Sequence, residues 1–274
     1  MKLAFTTLAC PDWDLDTIIQ AATDAGYDGI DFRGYLGEMQ IFVLPEFREK
    51  AAETARRISQ AGLEVPCLST GALLVSATEE AARKHLAEVK AYVRLCETFG
   101  TRFLRVFGGK LGDMSRSEAI RHAARNLKNM ATVAADHGIT VLVETHDDWL
   151  DCRYMKALME TADSDAAGIL WDIHHPYRHL GEPPQVTWEE TGRWISGTHW
   201  KDSVPKPGAA KGAHTLCLSG HGDIPYRETL NVLKNGGYDG YLTFEWEKAW
   251  HPDLPNPDVA LPQHARYMRK LLAE

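Results

Sequence analysis

The chain has 274 residues, of which 44% are hydrophobic, so it can bury a large core in one barrel-sized domain or in two smaller ones. Its 38 acidic and 30 basic residues give a net charge of −8 spread along the sequence, so we expect neither nucleic acid nor a membrane surface as a partner. The five cysteines are scattered and form no CxxC pair, which indicates reduced thiols in a cytoplasmic protein.

Short β-rich runs alternate with amphipathic stretches along the whole chain. The predicted strands are 3–8, 29–33, 63–69, 102–107, 140–144, 168–172, 198–201 and 241–246. Five of the predicted helices end in a glycine suited to a left-handed residue, at positions 26, 62, 100, 138 and 237. Eight strand–helix units without a linker predict a single (β/α)₈ TIM barrel over residues 1–274. An open doubly wound sheet is the alternative, but no GxGxxG follows the first strand.

The last four predicted strands each end in a residue that can bind a hard divalent metal: Glu144, Asp172, His199 and Glu245. In a barrel these strand ends meet at one rim. Taken singly, Glu144 and Glu245 are also compatible with a helix cap or a buried ion-pair partner, and His199 with a hydrogen-bonded core histidine. Four such groups converging without a cation would carry a large desolvation and repulsion cost. Three carboxylates and one imidazole favour Mn²⁺, with Mg²⁺ or Co²⁺ as alternatives. Such a cation can polarise a sugar carbonyl and acidify the neighbouring carbon, which is enediolate chemistry.

Two short motifs lie within this set, DxxH at 172–175 and HxKD at 199–202. Together with Glu144 and Glu245 they resemble the xylose-isomerase-like TIM-barrel superfamily of sugar isomerases and epimerases, over essentially the whole chain. The resemblance to its ketose 3-epimerases implies that Glu144, Asp172, His199 and Glu245 hold the metal. It also implies that the two glutamates form an acid/base pair on opposite faces of the substrate, and that His175 holds a substrate oxygen. A nuclease branch of the superfamily uses extra histidines on strands three and four, where this chain has none at the rim.

Further rim residues are predicted to bind substrate. Lys201 shares the inward face of its strand with His199. Arg33 and Arg105 end strands two and four and are predicted to bind substrate oxygens or to form rim ion pairs. Trp246 is predicted to stack on a sugar ring or to pack at the rim. Two Gly/Pro-rich insertions, 203–214 and 250–257, are predicted to be lid loops.

These residues predict a metal-dependent isomerase or epimerase of a small-molecule sugar or keto-sugar, acting through a metal-stabilised enediolate. His146 lies two residues after Glu144 on the same face and adds an acid/base group that a two-glutamate epimerase does not require. The alternative is therefore a lyase or dehydratase that acts on 3-keto glycosides or inososes by β-elimination. A carbohydrate-binding module with a structural cation is a third, non-enzymatic hypothesis. The substrate stays open, and so does the oligomeric state, including a homo-oligomer.

Overall fold

A computed structural model describes all residues from Met1 to Glu274. Eight parallel strands form one sheet in the order β2-β1-β10-β7-β6-β5-β4-β3. The edge strands β2 and β3 approach each other through two single parallel bridges, Gly29 with Glu64 and Phe32 with Leu68, which curl the sheet toward closure. The predicted (β/α)₈ TIM barrel is confirmed. The sheet strands are β1 (Lys2–Thr6), β2 (Gly29–Asp31), β3 (Leu68–Leu73), β4 (Phe103–Phe107), β5 (Thr140–Glu144), β6 (Ala167–Asp172), β7 (Ile195–Trp200) and β10 (Tyr241–Phe244).

Eight helices follow the sheet strands and surround the barrel. They are α1 (Leu15–Ala25), α2 (Ala51–Gln60), α3 (Glu79–Phe99), α4 (Arg116–Ala135), α5 (Cys152–Ala162), α6 (Pro184–Thr191), α7 (Tyr226–Asn235) and α8 (Pro257–Ala273). The five glycines predicted after helices all have a positive φ, between 66° and 76°. All five cysteines are free, and four of them are buried. No helix combines the length and the apolar character needed to cross a membrane.

The third strand is displaced from its predicted position. It runs from Leu68 to Leu73, whereas the sequence pattern indicated 63–69. Pro66 explains the shift, because proline has no N–H group to donate to a sheet ladder and therefore interrupts the pairing. Before the proline only the single bridge from Glu64 to Gly29 remains, and regular pairing with β4 starts at Leu68.

The predicted lid loop 203–214 is wrong in part, since it lies mostly within an antiparallel hairpin. Strand β8 (Asp202–Pro205) pairs with β9 (His214–Cys217), and Asp202 lies opposite Cys217. The base of the hairpin is held by the Asp202 carboxylate, which accepts backbone N–H bonds from Ser203 at 2.9 Å, Gly220 at 2.8 Å, Gly222 at 3.0 Å and Ile224 at 3.3 Å. A glycine is required at 222, because an added Cβ would lie 2.1 Å from this carboxylate.

Candidate metal centre

Four donor side chains meet at the carboxyl ends of the barrel strands. Glu144 and Asp172 are the last residues of β5 and β6, and Glu245 directly follows β10. His199 lies on β7, level with Asp172 of β6 and Thr243 of β10. All four side chains are buried, and their ligand atoms lie within 4.8 Å of one another. The structure therefore brings the four predicted ligands together.

The imidazole of His199 has a defined orientation in this group. Its Nδ1 lies 3.4 Å from Oε1 of Glu144 and 3.3 Å from Oε1 of Glu245. Its Nε2 faces Asp31 on the opposite side, 3.4 Å from Oδ2. The same Asp31 oxygen accepts a hydrogen bond of 3.1 Å from Ser69 Oγ. Nδ1 is thus the nitrogen that faces the other donors, and Asp31 is placed to hold the ring, as metal-bound histidines usually are held by a carboxylate or carbonyl.

Asp31 is a residue that the sequence analysis missed. It is the last residue of β2, its side chain is buried, and it is flanked in sequence by the buried residues Ile30 and Phe32. A carboxylate at the end of a buried strand was the same signal that identified Glu144 and Asp172. It could have identified Asp31 as well.

The donor group fits a divalent cation. Glu144 Oε1 and His199 Nδ1 are buried and make no hydrogen bond. Such atoms are costly unless a cation satisfies them. Burial lowers the pKa of His199, but the carboxylates of Glu245 and Glu144 outweigh this and raise it well above its ordinary value. A raised pKa means that the ring readily holds a proton on both nitrogens. A metal ion bound to Nδ1 would replace the proton on that nitrogen. The oxygen-rich donor set, without a thiolate, is typical of hard divalent metals.

Arg105 pairs with one of these donors. Its Nε lies 3.1 Å from Glu144 Oε2, and its Nη1 donates a 2.9 Å hydrogen bond to the carbonyl of Thr70. The guanidinium also lies 3.9 Å from the ring centroid of Phe107. Burial raises the pKa of Glu144, but the Arg105 charge outweighs it, and the pKa falls to about 2. Arg105, predicted to bind substrate or to form an ion pair, is in contact with the ligand Glu144.

Lys201 lies between three carboxylates. Its Nζ is 2.8 Å from Asp172 Oδ2 and 2.8 Å from Glu247 Oε1, and it also contacts Glu245 Oε2. Burial raises the pKa of Asp172, and Lys201 offsets this only in part, which leaves the value at about 6. For Glu245 the opposite holds: burial raises its pKa, but Lys201 and His199 lower it well below its usual value.

Histidines line the mouth beside the four donors. His175 Nε2 lies 3.4 Å from Asp172 Oδ2, and its ring centroid is 4.8 Å from that of His146. Nδ1 of His146 is 3.2 Å from Asp147 Oδ2, and the imidazole is about one-third exposed. Burial lowers the pKa of His146, but Asp147 and Glu144 raise it above its ordinary value. His174, in contrast, bonds to Ser203 Oγ of the hairpin at 2.9 Å. His146 and His175 therefore lie side by side at the mouth, His146 about one-third exposed and His175 in contact with Asp172.

Two other predicted residues have different positions. Arg33 is partly buried, with its guanidinium 5.9 Å from the Phe107 ring and Nη1 3.3 Å from Met39 Sδ. Burial, followed by the charge of Arg105, lowers the pKa of Arg33 to about 10. Trp246 is fully buried, stacks on Phe244 and donates a 2.9 Å hydrogen bond to the carbonyl of Pro255. Its ring packs behind the barrel wall and does not join the donor group.

Three solved structures with the same fold cover nearly the whole chain at low identity. The IolI protein with a bound zinc atom aligns with a TM-score of 0.82 at 18% identity, over 100% of this chain and 98% of the other. The probable 3-DHS dehydratase AsbF from Bacillus anthracis gives 0.80 at 20% identity, over 98% and 99%. D-psicose 3-epimerase from Clostridium cellulolyticum H10 gives 0.77 at 12% identity, over 99% of each chain. At these identities the likeness shows the fold.

Sequence comparison gives the family. The uncharacterized protein YihM of Escherichia coli (strain K12) is 25% identical over 134 residues, which are 48% of this chain and only 38% of that protein. The model of the family described as xylose isomerase-like TIM barrel matches residues 19–271. The chain belongs to the xylose isomerase-like TIM barrel family.

Proposed function

We propose that the protein is a divalent-metal-dependent isomerase or epimerase of a sugar or keto-sugar. The observation that carries the proposal is the group of four buried donors whose ligand atoms lie within 4.8 Å of one another at the barrel mouth. Mn²⁺ suits this donor set best, and Mg²⁺ or Co²⁺ can replace it. When bound, the metal would polarise the substrate carbonyl and make the neighbouring C–H bond more acidic.

Glu144 and Glu245 are the groups we propose to move the proton. Oε2 of each is occupied by a cation, Arg105 for Glu144 and Lys201 for Glu245, while Oε1 of each faces Nδ1 of His199. The cations therefore fix the orientation of both carboxylates before a substrate arrives, which favours proton transfer at a defined carbon. We propose that His175, which contacts Asp172, binds one substrate oxygen and that Arg33, whose guanidinium lies 5.9 Å from the Phe107 ring, binds another.

The likeness to D-psicose 3-epimerase, which was solved with D-tagatose, supports this reaction class at the level of the fold. A 3-keto-D-glucoside 4-epimerase from E. coli with a TM-score of 0.77 supports it in the same way. Both proteins act on sugars, and a small-molecule sugar is the substrate class we propose for this chain.

A β-elimination is the second candidate, and one observation favours it. Arg105 Nε lies 3.1 Å from Glu144 Oε2 and lowers the pKa of this group, so Glu144 stays ionised and is a poor proton donor at neutral pH. His146, beside Asp147, has a raised pKa and lies open to solvent at the mouth. It is therefore well suited to protonate a leaving group, and the fold shared with the probable 3-DHS dehydratase AsbF agrees with this role.

Isotope exchange and product analysis separate the two reactions. Purified enzyme with Mn²⁺ is incubated in D₂O with a panel of ketoses, 3-keto sugars and inososes. Deuterium incorporation identifies the substrate, and mass spectrometry shows whether water or an aglycone has been lost. An epimerase should lose several orders of magnitude in turnover on Glu245→Gln and much less on His146→Ala. The remote His137→Ala variant serves as the control.

If His146→Ala stops product formation while exchange continues, and the product lacks water or an aglycone, the enzyme is a lyase. Absence of exchange with every carbonyl sugar tested, in protein shown to contain metal, would contradict both candidates.

A further inference from the structure

The ammonium group of Lys201 is enclosed by acidic side chains. The residue is only 1% exposed, and its Nζ contacts one oxygen each of Asp172, Glu245 and Glu247. An ammonium has three N–H donors, and three carboxylates surround this one. No donor is left over for a substrate oxygen.

Two of these carboxylates, Glu245 and Glu247, belong to a second set of metal-type donors. His175, Glu245 and Glu247 offer one ligand atom each within 4.8 Å of one another, beside the four-donor group and sharing Glu245 with it. Nε2 of His175 makes no hydrogen bond. The Lys201 ammonium contacts Glu245 and Glu247, two of the three members of this set. A positive charge from the chain itself therefore lies where a second cation would be bound.

Counting charges supports the same conclusion. Glu144, Asp172, Glu245 and Glu247 carry four negative charges, and Arg105 and Lys201 carry two positive charges. One divalent cation with a neutral His199 completes the balance. A second divalent cation would leave these groups with an excess of two positive charges, or of one when the neighbouring Asp31 carboxylate is included, which the low-dielectric interior disfavours.

We propose that Lys201 acts as a built-in cation that occupies a second metal position and keeps the centre mononuclear. The inference rests on the proposed metal centre and assigns a latent site to His175, Glu245 and Glu247. Removal of the ammonium leaves a net negative charge beside these donors. A second hard divalent cation then binds, with Glu245 between the two metals.

The test counts metal ions. Wild type, Lys201→Met and Lys201→Gln are refolded or expressed with excess Mn²⁺, passed through gel filtration and analysed for metal per chain. Electron paramagnetic resonance then reports whether two Mn²⁺ ions are spin-coupled. We expect one ion in wild type and two coupled ions in both Lys201 variants. Arg105→Met is the matched control, because it removes a buried cation that does not contact Glu245 or Glu247, and we expect it to bind no second ion.

Addition of Glu247→Gln to Lys201→Met should return the count to one. Lys201 variants that bind a single ion, as wild type does, would overturn the inference and leave the proposed function intact. Wild type with two ions would also overturn it. Variants that stay unfolded in excess Mn²⁺ count against it too, since the second cation should replace the missing charge. Wild type that binds no metal would refute the proposed metal centre itself.

Discussion

Replacement of Asp31 by asparagine tests how the imidazole ligand is held. The substitution keeps the size of the side chain but removes the negative charge 3.4 Å from His199 Nε2. A metal bound to Nδ1, which is directed at Glu144 and Glu245, would leave the single proton of the neutral ring on Nε2, facing Asp31. A carboxylate in this position fixes the ring and makes the metal-binding nitrogen more basic. We therefore expect Asp31→Asn to weaken metal binding without loss of the fold.

The size of the effect follows from the contact. Loss of such a supporting carboxylate typically lowers metal affinity about 10- to 100-fold. Both side chains are almost fully buried, which strengthens the interaction, but the distance is long and the Asp31 oxygen is shared with Ser69. We expect a decrease of about 10-fold, or about 1.4 kcal/mol.

The assay is competition between the protein and a coloured chelator for Co²⁺ or Mn²⁺ at pH 7.5. Ser69→Ala, which removes the other partner of Asp31 and leaves the carboxylate in place, should change the affinity much less. Asp31→Asn with an affinity within twofold of wild type, in protein with an unchanged circular dichroism spectrum, would refute the assigned role of Asp31 and the assigned orientation of His199.

Two further expectations concern stability. Chelation should lower the thermal midpoint of unfolding, because a metal present at about 100 times its Kd contributes about 2.7 kcal/mol, or roughly 5–10 °C for a chain of this size. His199→Ala should show no such shift. A wild-type midpoint that does not change on addition of chelator would argue against a bound metal. Burial lowers the pKa of His264, stacked on Phe244, to about 3. Between that value and about 6.5 the unfolded chain binds a proton that the folded chain does not, so this residue lowers stability by about 1.4 kcal/mol per pH unit as the pH falls. Urea unfolding of His264→Phe from pH 6.5 to 4.5 should show a shallower loss than wild type, and parallel curves would contradict this.

The convergence of the four proposed ligands could be predicted from sequence because their positions depend on two simple regularities. Parallel barrel strands end at one rim, and side chains alternate between two faces. A buried strand that ends in Glu144 or Asp172 therefore directs its last side chain toward the mouth. The same alternation explains why Trp246 was a poor candidate. Next to the inward Glu245, it must face outward, where it stacks on Phe244.

Other features depend on contacts that no local pattern contains. The pairing of Arg105 with Glu144 joins neighbouring strands, and its chemistry is visible only when the two are aligned. Asp31 reaches His199 from a strand that is distant in sequence. The hairpin could not be recognised from the sequence, because its glycine- and proline-rich tip dominates the composition of 203–214. The strands on either side have only four residues each, too few for a clear alternation of apolar and polar residues. Sequence reasoning thus identified the donors, left the role of Arg105 open and missed Asp31.

The Asp202 carboxylate is an anchor that separates the tip of the hairpin from the strand that carries His199. Four backbone N–H groups from both ends of the hairpin segment converge on one buried carboxylate, directly after the strand that carries His199. We therefore expect insertions or deletions in the largely exposed tip, 206–213, to leave the position of the strand that carries His199 unchanged. The tip can therefore be replaced by other sequences without moving the donor side chains. A library that varies its length and composition can alter which molecules enter the mouth while the chemistry beneath stays the same.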